Sequence, residues 1–484
     1  MRADRVLRGA LLIGAAAAAG SCAGGKAESL PNVIFILADD LGYGDLSCYG
    51  QQNFSTPNID RMAAEGMQFN QHYAGCAVSA PSRSVLLSGQ HMGHTYIRNN
   101  RELKGREGQL PIPSEVYTLA ELFKDAGYAT GAFGKWGLGY PGSEGDPNFQ
   151  GFDEFFGYNC QRQAHRYYPT YLWHNQEQIA LEGNDFKNMV TYAPDLIHDE
   201  VLGFIRENKS KPFFAYVPII QPHAELLVPD DEIFAQYDGK FEETPFVAKP
   251  GHDYGSKNFN PAGYASQEQP HATFAAMVSR VDRYVGEIIS ELERLGIDDN
   301  TLVIFASDNG PHNAGGGDPI FFNGSGGYKG MKRDLDEGGI RVPMIAYWRG
   351  KIAPGVRSDH ISAFYDFMPT FAEMIGAPEQ RQSDGISLLP TLLGKGEQRE
   401  HEFLYWEFTH KGGLMAVRMG EWKAIRRGVD RDPNAKLELY NLNRDPKETV
   451  DVAKYNPAVV AQAEAIMARE HTPSKLFPFQ HEKE

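Results

Sequence analysis

Four apolar runs in this chain stop at polar residues that could share one ligand. Residues 33–38 run into Asp39-Asp40, and comparable runs end at Gly134-Lys135, at Pro222-His223 and at Ser307-Asp308-Asn309-Gly310. Asp39, Asp40, Asp308 and Asn309 together form an all-oxygen, anionic ligand set, which suits a hard cation such as Ca²⁺ or Mg²⁺ rather than Zn²⁺. A single Asp-Asp after a strand is more often a helix N-cap, but a second pair ending a second strand favours the metal. Ser79-Ala80-Pro81-Ser82-Arg83 reads as a tight turn entering a short helix with Pro81 at its first position. Such an N-terminus offers unpaired N–H groups and a positive dipole to an anion, with Ser79 as an oxygen nucleophile. Taken alone, a Ser-rich turn is ordinary capping. Its company argues for chemistry, because Arg83, Lys135, His223 and Lys332 add donors able to neutralise a tetrahedral oxyanion.

Strands are needed to bring these residues together. A fully apolar run bounded by Pro31-Asn32 and Asp39-Asp40 is the pattern of a parallel strand buried on both faces. Helical periodicity appears over 118–126, 193–207 and 273–295. Alternating strands and helices predict an α/β fold: a large mixed, mostly parallel sheet sandwiched by helices, whose ligands bind beyond the carboxyl ends of the strands. Residues 250–270, rich in Gly, Pro and Asn, read as a surface excursion. After about residue 378 the composition changes. Runs at 403–408, 415–419, 422–426 and 437–442, then a helix near 457–469, predict a smaller C-terminal antiparallel-sheet-plus-helix unit. The expected division is 30–378 for the main domain and 379–484 for the smaller one.

The 484 residues carry 47 basic and 63 acidic side chains, a net charge of −16, which argues against nucleic-acid binding through a broad basic surface. An anionic ligand therefore needs a local cationic pocket. Four cysteines make no disulfide scaffold. Arg2, Arg5 and Arg8 precede an apolar run over 10–19 that is too short to span a bilayer, followed by Gly20-Ser21-Cys22. This is the layout of a signal peptide over 1–22. It resembles a bacterial lipoprotein box in which Cys22 is acylated and anchors the chain to a membrane; an ordinary secretory signal is the alternative. Either way the expectation is export, to the periplasm or to a membrane surface.

The segment from Ser79 to Arg83, with Ser88-Gly89 beyond it, resembles the signature of the type I sulfatases of the alkaline-phosphatase superfamily. So do Ala38-Asp39-Asp40-Leu41-Gly42-Tyr43-Gly44-Asp45, Thr56-Pro57-Asn58-Ile59-Asp60, Gly134-Lys135-Trp136, Ser307-Asp308-Asn309-Gly310 and Glu337-Gly338-Gly339-Ile340-Arg341-Val342-Pro343. These motifs occur in the right order over nearly all of the mature chain. The resemblance implies an alkaline-phosphatase-like fold and conversion of Ser79 to formylglycine, whose hydrate is the nucleophile. It also implies Ca²⁺ on Asp39, Asp40, Asp308, Asn309 and modified Ser79, Arg83 holding the hydrate, and a sulfate clamp of Lys135, His223 and Lys332. His223 is then the candidate general acid.

Ser rather than Cys in the signature resembles bacterial members matured by a radical, oxygen-independent enzyme, a partner for this chain. The implied substrate is a sulfated glycan, with sulfated galactose or N-acetylgalactosamine expected. In many family members a His stands two residues after the motif Lys. Here that residue is Gly137, so either another imidazole, His165 or His312, takes the base role, or that step is arranged differently. The segments 160–169 and 406–410, with His165 and His410, are read as a substrate rim or as packing between the two units. Two alternatives stay open: a phosphate or phosphonate ester hydrolase of the same superfamily, which often carries a second, His-rich metal site, and a non-catalytic glycan-binding lipoprotein in which Ser79 remains a serine.

Overall fold

The computed structural model describes residues 30–104, 107–378 and 382–483; the signal segment and Cys22 lie outside the described residues. The Asn32–Asp39 strand is flanked on both sides by parallel neighbours, Phe213–Pro222 and Thr301–Ser307. Ala129–Lys135 lies parallel beyond Phe213–Pro222. Together with six further strands these build a ten-stranded sheet, antiparallel at Met344–Tyr347 and at Tyr171–His174. Register matters most here. Ala38 pairs with Ser307 and Asp39 with Pro222, so the central strands end level with one another.

Alternation along the central strand explains the two layers. Val33, Phe35 and Leu37 enter one apolar cluster, whereas Ile34, Ile36 and Ala38 enter the other. Pro57–Glu65, Ala193–Asn208 and Pro270–Leu295 cover the second cluster through Met62, Val201 and Val285. Ser79–Ser88, Leu119–Asp125 and Phe367–Ile375 cover the first through Val85, Leu122 and Phe371. Thr118 caps its helix with a reciprocal Glu121 bond. Among the described residues no helix is long and apolar enough to cross a membrane.

The C-terminal strands Leu404–Phe408, Leu414–Met419, Trp422–Arg427 and Leu437–Asn441 form an antiparallel sheet. One face, with Trp406, Ala416 and Ile425, joins the core of the main body. The other, with Tyr405, Val417 and Ala424, packs on Ala463, Ile466 and Met467 of the Pro457–Glu470 helix. A buried ionic knot ties this sheet to the loop that follows Lys332. Lys423 Nζ lies 2.9 Å from Glu337 and 3.2 Å from Glu448, the Glu337 N–H donates to Glu448 at 2.7 Å, and the Tyr73 hydroxyl donates to Glu337 at 2.7 Å.

Residues 250–270 form the surface excursion that the sequence suggests, most of them exposed or half-buried. The segment carries little regular structure, yet it is drawn inward by a buried Arg166–Glu225 pair. Arg166 donates to the carbonyls of His252 and Asn260 at 2.9 and 3.0 Å, while Glu225 accepts from Tyr254 at 2.8 Å and from the Ala265 N–H at 3.1 Å. These bonds hold Tyr264 over the ends of the central strands.

Candidate active site

The level strand ends bring Asp39, Asp40, Lys135, His223, Asp308 and Asn309 to one point, and all are buried. The Ser79 hydroxyl donates to Asp39 Oδ1 at 3.1 Å and sits 3.3 Å from Lys135 Nζ, which itself reaches Asp39 Oδ2 at 2.5 Å. Arg83, on the same helix as Ser79, holds Asp308 Oδ2 through Nη2 at 2.8 Å and Nε at 3.2 Å, and donates to the Lys135 carbonyl at 2.7 Å. Lys332 Nζ is 2.7 Å from Asp40 Oδ2. Asp40 adopts a left-handed backbone (φ 63°), a conformation Asp tolerates better than most residues, and its N–H donates to Asp308 Oδ1 at 3.1 Å.

The helix begins earlier than the sequence suggests. It spans Ser79–Ser88, so Pro81 is its third residue and not its first. Asn100 accepts the Ala80 N–H at 3.0 Å, Ser82 N–H bonds the Val78 carbonyl at 3.2 Å, and Pro81 has no N–H. The expected row of free amide donors is therefore largely used up. Attraction for an anion falls to Arg83, Lys135 and Lys332, which together match the three carboxylates charge for charge.

The histidines separate by role. His223 Nδ1 donates to the Ala224 carbonyl at 2.5 Å, leaving Nε2 facing Asp40 at 3.4 Å. Burial and the Lys332 ammonium push His223 down to about 3. The ring of His165 stacks on His223 with centroids 5.0 Å apart, and its Nδ1 is buried without a hydrogen-bond partner. His312 is committed on both sides, to the Pro222 carbonyl through Nε2 (3.0 Å) and to the Ala314 N–H through Nδ1 (3.1 Å). That makes it a support for the strand end. His410 is exposed and packs beside Phe408, whereas Trp406 is fully buried and donates to the Ala74 carbonyl at 2.9 Å, so that tryptophan is packing and not rim.

Sequence reasoning missed Tyr264, whose ring lies 5.1 Å from His165 and 6.3 Å from His223. An aromatic in an aperiodic polar stretch gives no signal of its own. It also missed the neighbour of Gly137. That glycine has φ 78°, and a Cβ built there would meet the Gln161 amide nitrogen at 2.9 Å. Gln161 thus occupies the space beside the motif lysine.

The donor set fits a hard dication. Asn309 donates its amide to Asp40 Oδ1 at 2.7 Å, yet its Oδ1 is buried with no hydrogen-bond partner. Burial and the charges of Asp39 and Asp40 push Asp308 up to about 6, a sign that three clustered carboxylates call for more positive charge. Burial opposes ionisation of Asp39 as well, but Lys135, His223 and Arg83 hold its carboxyl well below the usual range. A second group, His91, His94 and Asp384 with Glu470, also has ligand-like spacing. Its hydrogen bonds argue otherwise. The Gly93 N–H donates to His91 Nδ1 at 3.1 Å, which leaves the ring proton on Nε2 facing Glu470 at 3.1 Å rather than a lone pair for a metal. This group is a hydrogen-bonded joint between the end of the Ser79–Ser88 helix and the C-terminal helix.

Over most of its length the chain is similar to known proteins. The Sulfatase family matches residues 31–377, and the family described as N-sulphoglucosamine sulphohydrolase, C-terminal, matches 327–471. The chain is 32% identical to N-acetylgalactosamine-6-sulfatase of Canis lupus familiaris, covering 89% of this chain and 83% of the relative. It is 30% identical to N-acetylgalactosamine-6-O-sulfatase of Bacteroides thetaiotaomicron, covering 92% and 93%. The crystal structure of Ps i-CgsB in complex with k-i-k-neocarrahexaose superposes with a TM-score of 0.74 at 28% identity, covering 92% and 94%. With its polar strand ends gathered around Ser79 and family matches that span most of its length, the chain belongs to the sulfatase family and is an enzyme of that family.

Proposed function

We propose that this sulfatase removes sulfate from a sulfated galactose or N-acetylgalactosamine within a glycan, using Ser79 in its formylglycine form and a Ca²⁺ held by Asp39, Asp40, Asp308, Asn309 and residue 79. The observation that carries this reading is the position of the Ser79 oxygen, within hydrogen-bond reach of Asp39 and beside Lys135. The names of the canine and Bacteroides relatives support the sugar. A bound Ca²⁺ supplies Lewis acidity toward the nucleophile and the sulfate oxygens. A formylglycine hydrate at residue 79 would supply two geminal hydroxyls, one as the nucleophile toward sulfur and one whose deprotonation would re-form the aldehyde as sulfate leaves, chemistry that serine lacks.

The remaining work belongs to side chains already in place. Three cations balance three carboxylates, so a dication leaves two positive charges for a monoanionic ester and an ionised nucleophile. Lys135 and Lys332 each hold one carboxylate and present their remaining protons to the sulfate. Arg83 fixes Asp308 and the end of the Lys135 strand, which keeps residue 79 and the metal ligands in register. His223 gives its Nδ1 proton to the Ala224 carbonyl, which turns Nε2 toward Asp40 and the pocket, while burial and the Lys332 ammonium lower its affinity for a second proton. As imidazolium it is placed to protonate the departing sugar oxygen. His165 and Tyr264 wall the pocket on that side.

Export through the N-terminal signal, with or without acylation of Cys22, and maturation by a radical serine-type enzyme complete the proposal. The test is peptide mass spectrometry across residues 77–83 of protein made anaerobically with such a maturase. Loss of two hydrogens at Ser79, together with release of sulfate from a sulfated galactoside or galactosaminide, is the expected result. Sulfate release by protein whose Ser79 remains unmodified would overturn the formylglycine assignment. A modified protein inert toward every such sugar would overturn the substrate.

A further inference from the structure

One histidine at the strand ends is held firmly in place and bonded to nothing through its ring. His165 closes the short turn Gln163–His165. Its N–H donates to the Arg162 carbonyl at 3.2 Å, and its own carbonyl accepts the Glu225 N–H at 3.3 Å. The ring lies 12° from the plane of His223, with centroids 5.0 Å apart, and Tyr264 completes a triangle of rings at 5.1 Å from His165. Glu225 anchors two corners of that triangle, since its carboxylate also takes the Ala265 N–H beside Tyr264 at 3.1 Å. The Tyr167 hydroxyl anchors the third by donating to the His223 carbonyl at 2.7 Å.

The ring nitrogens of the three neighbouring histidines are used very differently. His312 commits both to backbone groups and His223 commits Nδ1. Neither nitrogen of His165 has a hydrogen-bond partner among the described residues; Nδ1 is sealed in, whereas Nε2 is open. Burial, and then the charges of His223, Lys135 and Lys332, hold its affinity for a second proton well below the ordinary range. The single ring proton on Nδ1 would be a buried donor without an acceptor, so it belongs on Nε2. Nε2 is thus an unused donor at a fixed place. His223 faces the ester oxygen that departs, and a donor on the next ring, 5.0 Å along, meets the leaving group rather than the sulfate. On a sugar, the polar atom so placed is the hydroxyl of a neighbouring ring carbon.

On the reading that this pocket cleaves a sulfate ester, we propose that His165 Nε2 donates to a free hydroxyl on the ring carbon nearest the sulfated position. The substrate class is then a hydroxy sulfate whose neighbouring hydroxyl is unsubstituted, and a sugar lacking that hydroxyl is a poor substrate.

The test uses enzyme matured at Ser79 and two substrates, a sulfated galactoside or galactosaminide and the same compound with that hydroxyl replaced by hydrogen. Comparing kcat/KM for the pair on a single protein cancels any loss of folded or matured enzyme. The expected preference for the hydroxylated sugar is at least about tenfold, because the deoxy sugar leaves a desolvated donor unpaired. His165→Phe keeps a ring against His223 and Tyr264 without the donor, and should bring the ratio to within about twofold of one. His165→Gln offers an amide donor where Nε2 stood and should keep a ratio of at least about threefold. A ratio near one in the parent, or a ratio that survives His165→Phe, overturns the proposal. So does a ratio lost equally in both variants, which would assign the selectivity to the stacked rings. Release of sulfate from an aryl sulfate but from neither sugar sinks the sugar and the proposal together, whereas no release from any of the three sinks the sulfate-ester reading itself.

Discussion

Two buried ionic clusters in this protein have similar composition and different jobs. At the strand ends, Asp39, Asp40 and Asp308 face Arg83, Lys135 and Lys332. In the knot below the C-terminal sheet, Glu337 and Glu448 face Lys423 and Arg341. Charge and burial do not tell them apart. The difference lies in what is left over. The knot spends its groups on one another and on the protein: Tyr73 and Lys423 bond Glu337, the Glu337 backbone bonds Glu448, and the one Glu448 oxygen that takes no hydrogen bond still faces Lys423 at 3.2 Å. The strand-end cluster keeps an unpartnered Asn309 oxygen and a hydroxyl beside a lysine. Short Asp side chains on level strand ends can all point at one external atom, whereas longer Glu side chains from separate elements close on each other.

The widest separation between the two clusters is expected from Ser79→Ala. Sulfate release should fall by at least about three orders of magnitude, as for loss of a nucleophile, while the thermal midpoint stays within a degree or two of the parent. Full activity in that variant would dissolve the distinction. Lys332→Ala should lower kcat by roughly two orders of magnitude with a modest change in stability; a change confined to KM would make it an ordinary binding group. Lys423→Ala is the mirror experiment. Leaving two buried glutamates without their cation should cost about 3–5 kcal/mol in denaturant unfolding, yet the folded fraction should keep its kcat at permissive temperature. A large kcat loss there would show that the knot acts on the Lys332 loop and not merely on stability.

The smallest expected effect concerns pH. Burial, reinforced by the charge of Glu337, holds the Glu448 carboxyl well above its ordinary value of 4.5. The folded protein therefore binds this proton more tightly than the unfolded chain. The associated stability is present below about pH 4.5 and is lost as pH rises through the elevated folded value. Glu448→Gln should flatten that part of the stability profile, a change of at most about 1.4 kcal/mol per pH unit. An unchanged slope would place the titration elsewhere.

How legible each cluster was in the sequence follows from the same contrast. Asp39-Asp40, Lys135, His223 and Asp308-Asn309 could be read because each ends an apolar run, and parallel strands in register must bring such ends together. The Ser79 helix was legible for its motif, although its start was not, since tertiary partners such as Asn100 decide where the first turn closes. Lys423 and Glu448 gave no signal. They lie on an antiparallel sheet and a turn far along the chain, and their meaning arises only when Glu337 arrives between them. His312 lies just beyond the Ser307–Gly310 motif, but its two ring nitrogens are spent on backbone groups that no spacing rule reveals. Tyr264 reached the pocket through the Arg166–Glu225 pair, whose partners are 59 residues apart.

Gly137 and Gln161 constrain how this active site can be altered. A histidine at 137 would have to accept a left-handed backbone and displace an amide that lies 2.9 Å from its Cβ. Shortening Gln161 alone would open a gap beside the motif lysine with no side chain to fill it. Replacing both residues removes the clash with the amide, although the left-handed backbone at 137 still strains any side chain there. The two positions are coupled: a side chain at 137 and the amide at 161 compete for one space, so the effect of changing either depends on the residue at the other.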